Sequence, residues 1–146
     1  LTLTKKKIEQ LGGKKIENLE EDIKEMDYVS VHSPLTKDTK NMFNLEIFRK
    51  MKKSSIIINT SRGGVVNETD LNEALNKNMI FGAGLDVFEK EPPNINNPLL
   101  KNEKVFLSPH VSTFTEECIE RMGIETVQNI IDFFDGKLEK SMVVKL

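Results

Sequence analysis

Cysteine is almost missing from this sequence, with Cys118 the single example in 146 residues. An internal disulfide is therefore excluded, and the place of Cys118 in an apolar helical pattern reads as an inert packed thiol rather than a nucleophile. No apolar run approaches the roughly 18 residues that a membrane span requires. The opening Leu-Thr-Leu-Thr-Lys-Lys-Lys lacks the apolar core of a secretory signal. The expectation is a cytoplasmic protein with no membrane partner. Neither sign of charge dominates: the net charge is −2 and the lysines are scattered among acids, which leaves no electrostatic footprint for nucleic acid. Even Lys5-Lys6-Lys7 lies in a helical pattern and reads as a solvated face. Repeats, low-complexity segments and linkers are missing too, and no metal site is expected.

What is present is the composition of a soluble globular domain, 38% hydrophobic and 30% charged. Short apolar runs alternate with amphipathic stretches, the pattern of an α/β sheet. Residues 4–11 read as the end of a helix closed by Gly12-Gly13, and Lys15–Glu17 as a short strand. Leu19, Ile23 and Met26 mark one face of a short helix. Tyr28–His32 is rich in β-formers and is stopped by Pro34, so His32 and Ser33 emerge at a strand end. A helix over Leu45–Met51 leads to a strand over Ser55–Thr60, whose unbroken Ile-Ile-Ile suits coverage on both faces. Asn67-Glu-Thr-Asp70 resembles a helix cap and opens a helix to about Asn78. Strands follow at Ile80–Phe88, whose two glycines suggest a close backbone approach, and at Val105–Ser108. Thr115–Phe134 is one long amphipathic helix ending before Gly136, and Ser141–Leu146 is either an edge strand or a docked end.

In open parallel sheets, functional groups collect at the carboxyl ends of the strands. His32, Arg62, Asp86 and His110 all fall at or just after such ends. Asn59-Thr-Ser-Arg62-Gly-Gly sets a permanent fork-shaped cation after a buried strand, with glycines that let a ligand approach the backbone. The fork suits a planar carboxylate. Glu89 and Glu91 lie in a loop stiffened by Pro92-Pro93, and a carboxylate near His110 would hold its imidazole protonated. Taken singly, each group has a plainer reading: a surface ion pair for Arg62, a cap for His110 or Asp86, solvated loop acids for the glutamates. Together they are the parts needed to reduce a 2-keto acid or to oxidise a 2-hydroxy acid.

The segments "DYVSVHSPLTKDTKNMFN", "MKKSSIIINTSRGGVVNETDLNEAL", "GAGLDVFEKEPP" and "LSPHVSTFTEE" follow one another as in the D-isomer-specific 2-hydroxyacid dehydrogenases, the group that includes D-3-phosphoglycerate dehydrogenase and the glyoxylate and hydroxypyruvate reductases. The chain resembles the C-terminal portion of that family over nearly its whole length. The resemblance implies a Rossmann-like parallel sheet with flanking helices, incomplete because the first βαβ part is missing. Residues 1–112 would be the C-terminal part of the nucleotide-binding domain, and 113–146 a long helix and tail returning to a missing substrate domain. It also implies NAD as cofactor, with NADP not excluded, a small 2-hydroxy or 2-keto acid as substrate, and a homodimer. By the same resemblance Arg62 is the substrate-binding arginine, Glu91 the acid that pairs with the catalytic histidine, and His110 that histidine. Asp86 holds the nicotinamide carboxamide. His32, Ser33 and Pro34 lie beside the adenosine end, and Thr60 and Ser61 line the nicotinamide side, where Arg62 and His110 also meet the cofactor.

Departures from the pattern are Met26, Ser54-Ser55, and Val111–Phe114 in place of a run of small residues, with Phe114 narrowing the substrate pocket. The glycine-rich turn G-x-G-x-x-G and the ribose-binding acid about 20 residues beyond it do not occur. Two functions follow. One is an NAD-dependent oxidoreductase of which this chain is a fragment; the other is a truncated, catalytically incompetent Rossmann-like remnant acting as a binding module.

Overall fold

Parallel pairing of four short apolar runs organises the chain. The computed structural model describes residues 4–143 and divides into two compact units, Leu1–Pro109 and His110–Leu146. In the first, β1 (Tyr28–Val31), β2 (Ile56–Asn59), β3 (Gly82–Leu85) and β4 (Val105–Leu107) form one sheet in sequence order, every neighbour parallel. Parallel strands need long crossovers. Here α3 (Leu45–Lys50) and α4 (Glu68–Asn76) supply two of them, preceded by the short helices α1 (Lys5–Gln10) and α2 (Leu19–Asp22).

The register fixes which side chains share a face. Val31, Ile57, Ala83 and Leu85 point toward the helices and join Phe48, Leu71 and Leu75 in the core. Tyr28, Ile58, Gly84 and Phe106 point the other way, and along that face runs an apolar groove of about 890 Å³. The triple isoleucine is thus covered on one side only: Ile57 is buried, while Ile56 and Ile58 are half-buried. Hydrophobic runs of this kind report apolar content but not how many helices are at hand.

Helix boundaries follow from side-chain caps. Asn44 Oδ1 accepts the Glu46 and Ile47 amides at 3.0 and 3.3 Å, and Asp70 Oδ2 accepts the Leu45 amide at 2.9 Å, joining the starts of α3 and α4. Asn67 caps α4 through the Asp70 amide at 2.9 Å, as the sequence pattern predicts. The expected strand at Lys15–Glu17 does not form, because no neighbouring strand among the described residues offers it a ladder. Ile80–Phe88 contributes only Gly82–Leu85 to the sheet.

Of the two glycines expected to mark a close approach, Gly82 does, since a Cβ there would fall 3.1 Å from the Lys104 carbonyl oxygen, while one on Gly84 would meet only Ile58 side-chain atoms at 3.6 Å. The tightest approach is at Gly63, where a Cβ would fall 1.8 Å from the Phe88 carbonyl oxygen. The glycines after Arg62 therefore serve the protein's own packing: Gly63 admits the Phe88–Glu89 backbone, and Gly64 takes a left-handed turn at φ +80°.

In the second unit, α5 (Glu116–Phe134) starts at Thr115, whose Oγ1 accepts the Cys118 amide at 3.2 Å. The Glu117 backbone amide and the Thr115 hydroxyl hold the Glu117 carboxyl below the usual carboxylate range. Gly136, at φ +69°, closes the helix. Ile119, Met122, Ile130 and Phe134 are exposed along α5. The tail is a 3-10 turn over Lys140–Met142 rather than a strand, and residues 144–146 lie outside the described residues. Among the described residues, no helix is long and apolar enough to cross a membrane.

Two outcomes follow for stability. Leu71→Ala, at a fully buried position on α4, is expected to cost about 3 kcal/mol in urea unfolding. Gly63→Ala is expected to cost about 2 kcal/mol, because the colliding atoms are backbone and cannot rotate away. An unchanged urea midpoint for Gly63→Ala would show that the two loops separate freely.

Candidate functional site

The carboxyl ends of β1, β2 and β3 form one edge of the sheet, and most of the predicted groups collect there. At the end of β1, Ser30 Oγ and His32 Nε2 share a hydrogen bond at 2.7 Å. At the end of β2, the side chain of Asn59 is 1% exposed and builds the next turn. Its Oδ1 accepts the Ser61 amide at 3.0 Å and the Ser61 hydroxyl at 2.8 Å, and its Nδ2 donates to the Arg62 carbonyl at 3.0 Å. A buried amide with its donor and acceptor both engaged fixes a loop at little cost, whereas an unpartnered one would oppose folding.

That turn presents the exposed Arg62, whose Nη1 donates to the Ser61 carbonyl at 2.7 Å. Thr60, Ser61 and Arg62 line an open cavity of about 490 Å³ together with the His32–Leu35 segment. Six predicted residues, His32, Ser33, Pro34, Thr60, Ser61 and Arg62, are thus brought together. A permanent cation beside small hydroxyls and a proline wall suits an anionic or polyhydroxylated ligand.

Asp86 stands one residue past β3. It is 3% exposed, its amide donates to the Asn59 carbonyl at 3.0 Å, and its Oδ1 accepts the Ser108 hydroxyl at 2.5 Å. A carboxylate this deep needs partners, because burial disfavours its charged form. Glu91 lies in the following loop, where its Oε1 accepts the Phe88 amide at 3.0 Å and a cis peptide bond joins it to Pro92.

His110 opens the second unit and has a left-handed backbone, φ +56°. Such a conformation is uncommon for a residue with a side chain, and its cost is borne where a particular orientation is needed.

Sequence reading gave no role to three residues that shape this edge. Asn59 was visible in principle, since Asn-x-Ser after a strand is a turn signature. Ser108 was a bare hydroxyl before proline. Glu68 reads locally as a first-turn acid, yet its Oε1 accepts the Glu89 amide at 2.5 Å and its Oε2 accepts the Asn97 side-chain amide at 2.6 Å. Both ends of the loop carrying Glu91 are thereby tied to the start of α4.

Known proteins resemble this chain in sequence and fold. The chain is 44% identical over 125 residues to a glyoxylate reductase of Korarchaeum cryptofilum, covering 86% of this chain and 38% of that protein. It is also 44% identical over 126 residues to glyoxylate/hydroxypyruvate reductase B of Escherichia coli, covering 86% and 39%. Among solved structures, an NAD-complexed D-isomer specific 2-hydroxyacid dehydrogenase of Lactobacillus delbrueckii ssp. bulgaricus superposes with a TM-score of 0.77 at 31% identity, over 87% of this chain and 43% of that one. The chain thus spans well under half the length of the relatives it matches. The family described as D-isomer specific 2-hydroxyacid dehydrogenase, NAD binding domain, matches residues 2–112, and the chain belongs to it.

Proposed function

We propose that this chain is part of a cytoplasmic, dimeric NAD-dependent oxidoreductase that interconverts a D-2-hydroxy acid and its 2-keto acid. The observation that carries the reading is the turn built by Asn59, which sets Arg62 at the mouth of a cavity shared with the His32–Leu35 segment. The named activities of the two reductases above support the same reaction class. In this reading residues 1–112 are the C-terminal part of a nucleotide-binding domain, and 113–146 return the chain to a substrate domain.

The residues present fit a dinucleotide. Asp86 is a buried carboxylate at a strand end, an acceptor suited to a carboxamide N–H, and the strand-end cavity is the usual nucleotide position in an open α/β sheet. His32, Ser33 and Pro34 would flank the adenosine end, with Thr60 and Ser61 on the nicotinamide side. When bound, the nicotinamide supplies or accepts the hydride at the substrate's C2.

The chain's own groups supply binding, orientation and the proton. Arg62 grips the substrate carboxylate through its fork and stabilises negative charge growing on the keto oxygen. His110 gives the proton to that oxygen during reduction and removes it during oxidation, with Glu91 as its partner acid. Arg62 and His110 thus divide recognition from proton transfer.

In the intact protein, Arg62→Lys should lower kcat/KM for glyoxylate or hydroxypyruvate about 30-fold or more, the loss of one charged hydrogen bond. His110→Gln should lower kcat about 10³-fold. Oxidation of NADH followed at 340 nm reads both. NADH binding without turnover in the unaltered protein would leave a binding module, and full activity in His110→Gln would remove the proposed proton donor.

A further inference from the structure

We infer that Ser108 is a positioning residue for the carboxylate of Asp86 and, through it, for the nicotinamide end of the dinucleotide. This rests on the assignment of Asp86 proposed above. Asp86 and Ser108 lie one rung beyond the Leu85–Leu107 pair that ends the β3–β4 ladder. Their backbones are already fixed: the Asp86 amide donates to the Asn59 carbonyl at 3.0 Å, and the Ser108 amide to the Leu85 carbonyl at 3.0 Å. With both main chains locked, the freedom left to Asp86 is side-chain rotation.

The Ser108 hydroxyl removes that freedom by donating to Asp86 Oδ1 at 2.5 Å. A bond of that length to a carboxylate is of the charge-assisted kind, and at 3% exposure little water competes for it. Pro109 contributes in turn, because the residue before a proline is held extended, which keeps Ser108 on the line of β4. A carboxylate held in one rotamer presents one acceptor geometry to an incoming carboxamide, and the cost of ordering it does not fall on binding.

The test compares two ligands in the intact protein: NADH, and ADP-ribose, which carries the same nucleotide without the nicotinamide. Ser108→Ala should weaken NADH about tenfold, as loss of a charged hydrogen bond predicts, and leave ADP-ribose within about twofold of the unaltered protein. Ser108→Thr, which keeps the hydroxyl, should restore NADH binding. The inference is overturned if Ser108→Ala binds NADH normally, or if it loses NADH and ADP-ribose equally, the mark of general damage at the strand end. An unaltered protein that binds neither ligand would overturn the dinucleotide reading along with it.

Discussion

A single buried amide holds the functional edge together. Asn59 ends β2 at a point where the chain must turn sharply out of a closely packed sheet, and each polar atom exposed by that turn needs a partner once water is excluded. Its side chain takes the Ser61 amide and hydroxyl on one atom and supplies the Arg62 carbonyl from the other, while its backbone carbonyl receives the Asp86 amide from β3. An aliphatic side chain of similar size would fill the space but leave several of those groups unsatisfied. The turn leads directly to Gly63, and Gly63 seats the Phe88–Glu89 backbone. One side chain thereby sets the position of a cation, the entry to a neighbouring loop and the spacing between two strands.

The second strand end is organised on a different principle. Asp86 is a carboxyl group in a dry place, where a polar side chain needs a partner, and the Ser108 hydroxyl donates to its Oδ1. Farther along, the loop with Glu91 is anchored at Glu89 and Asn97 by the two oxygens of Glu68. Flexible acids in a loop would be poor tools for orienting anything. Tethering both ends to a helix start gives the loop a defined course without burying it.

Much of this was legible in the sequence, for identifiable reasons. Strand and helix order followed from hydrophobic periodicity, and Asn67 announced its helix because capping is a local interaction. His32 and Arg62 were read as strand-end groups because strand ends of a parallel sheet share an edge, and in the structure they line one cavity with Ser61. What escaped was long-range. Glu68 meets partners 21 and 29 residues away, and Gly63 is required by a backbone 25 positions downstream, from 63 to 88, so neither need leaves a local trace. The bare side of β2 was hidden for a related reason: Ile56 and Ile58 read like Ile57, and only the position of the helices separates them. Lys15–Glu17 failed as a strand because extended propensity without a neighbour builds no ladder.

The order of the strands also governs how the molecule can assemble in time. Each rung of the sheet joins distant residues, 28 with 56, 56 with 82 and 83 with 105, and none of them closes a hairpin. Every pairing therefore requires a sizeable loop to close before any ladder bond rewards it, and the ordering entropy of that loop is the barrier. Helical turns such as those of α4 can form on a far shorter timescale than the sheet they cover. The rate at which this domain becomes native is consequently set by topology, by the closing of those loops rather than by the winding of the helices that cover the sheet.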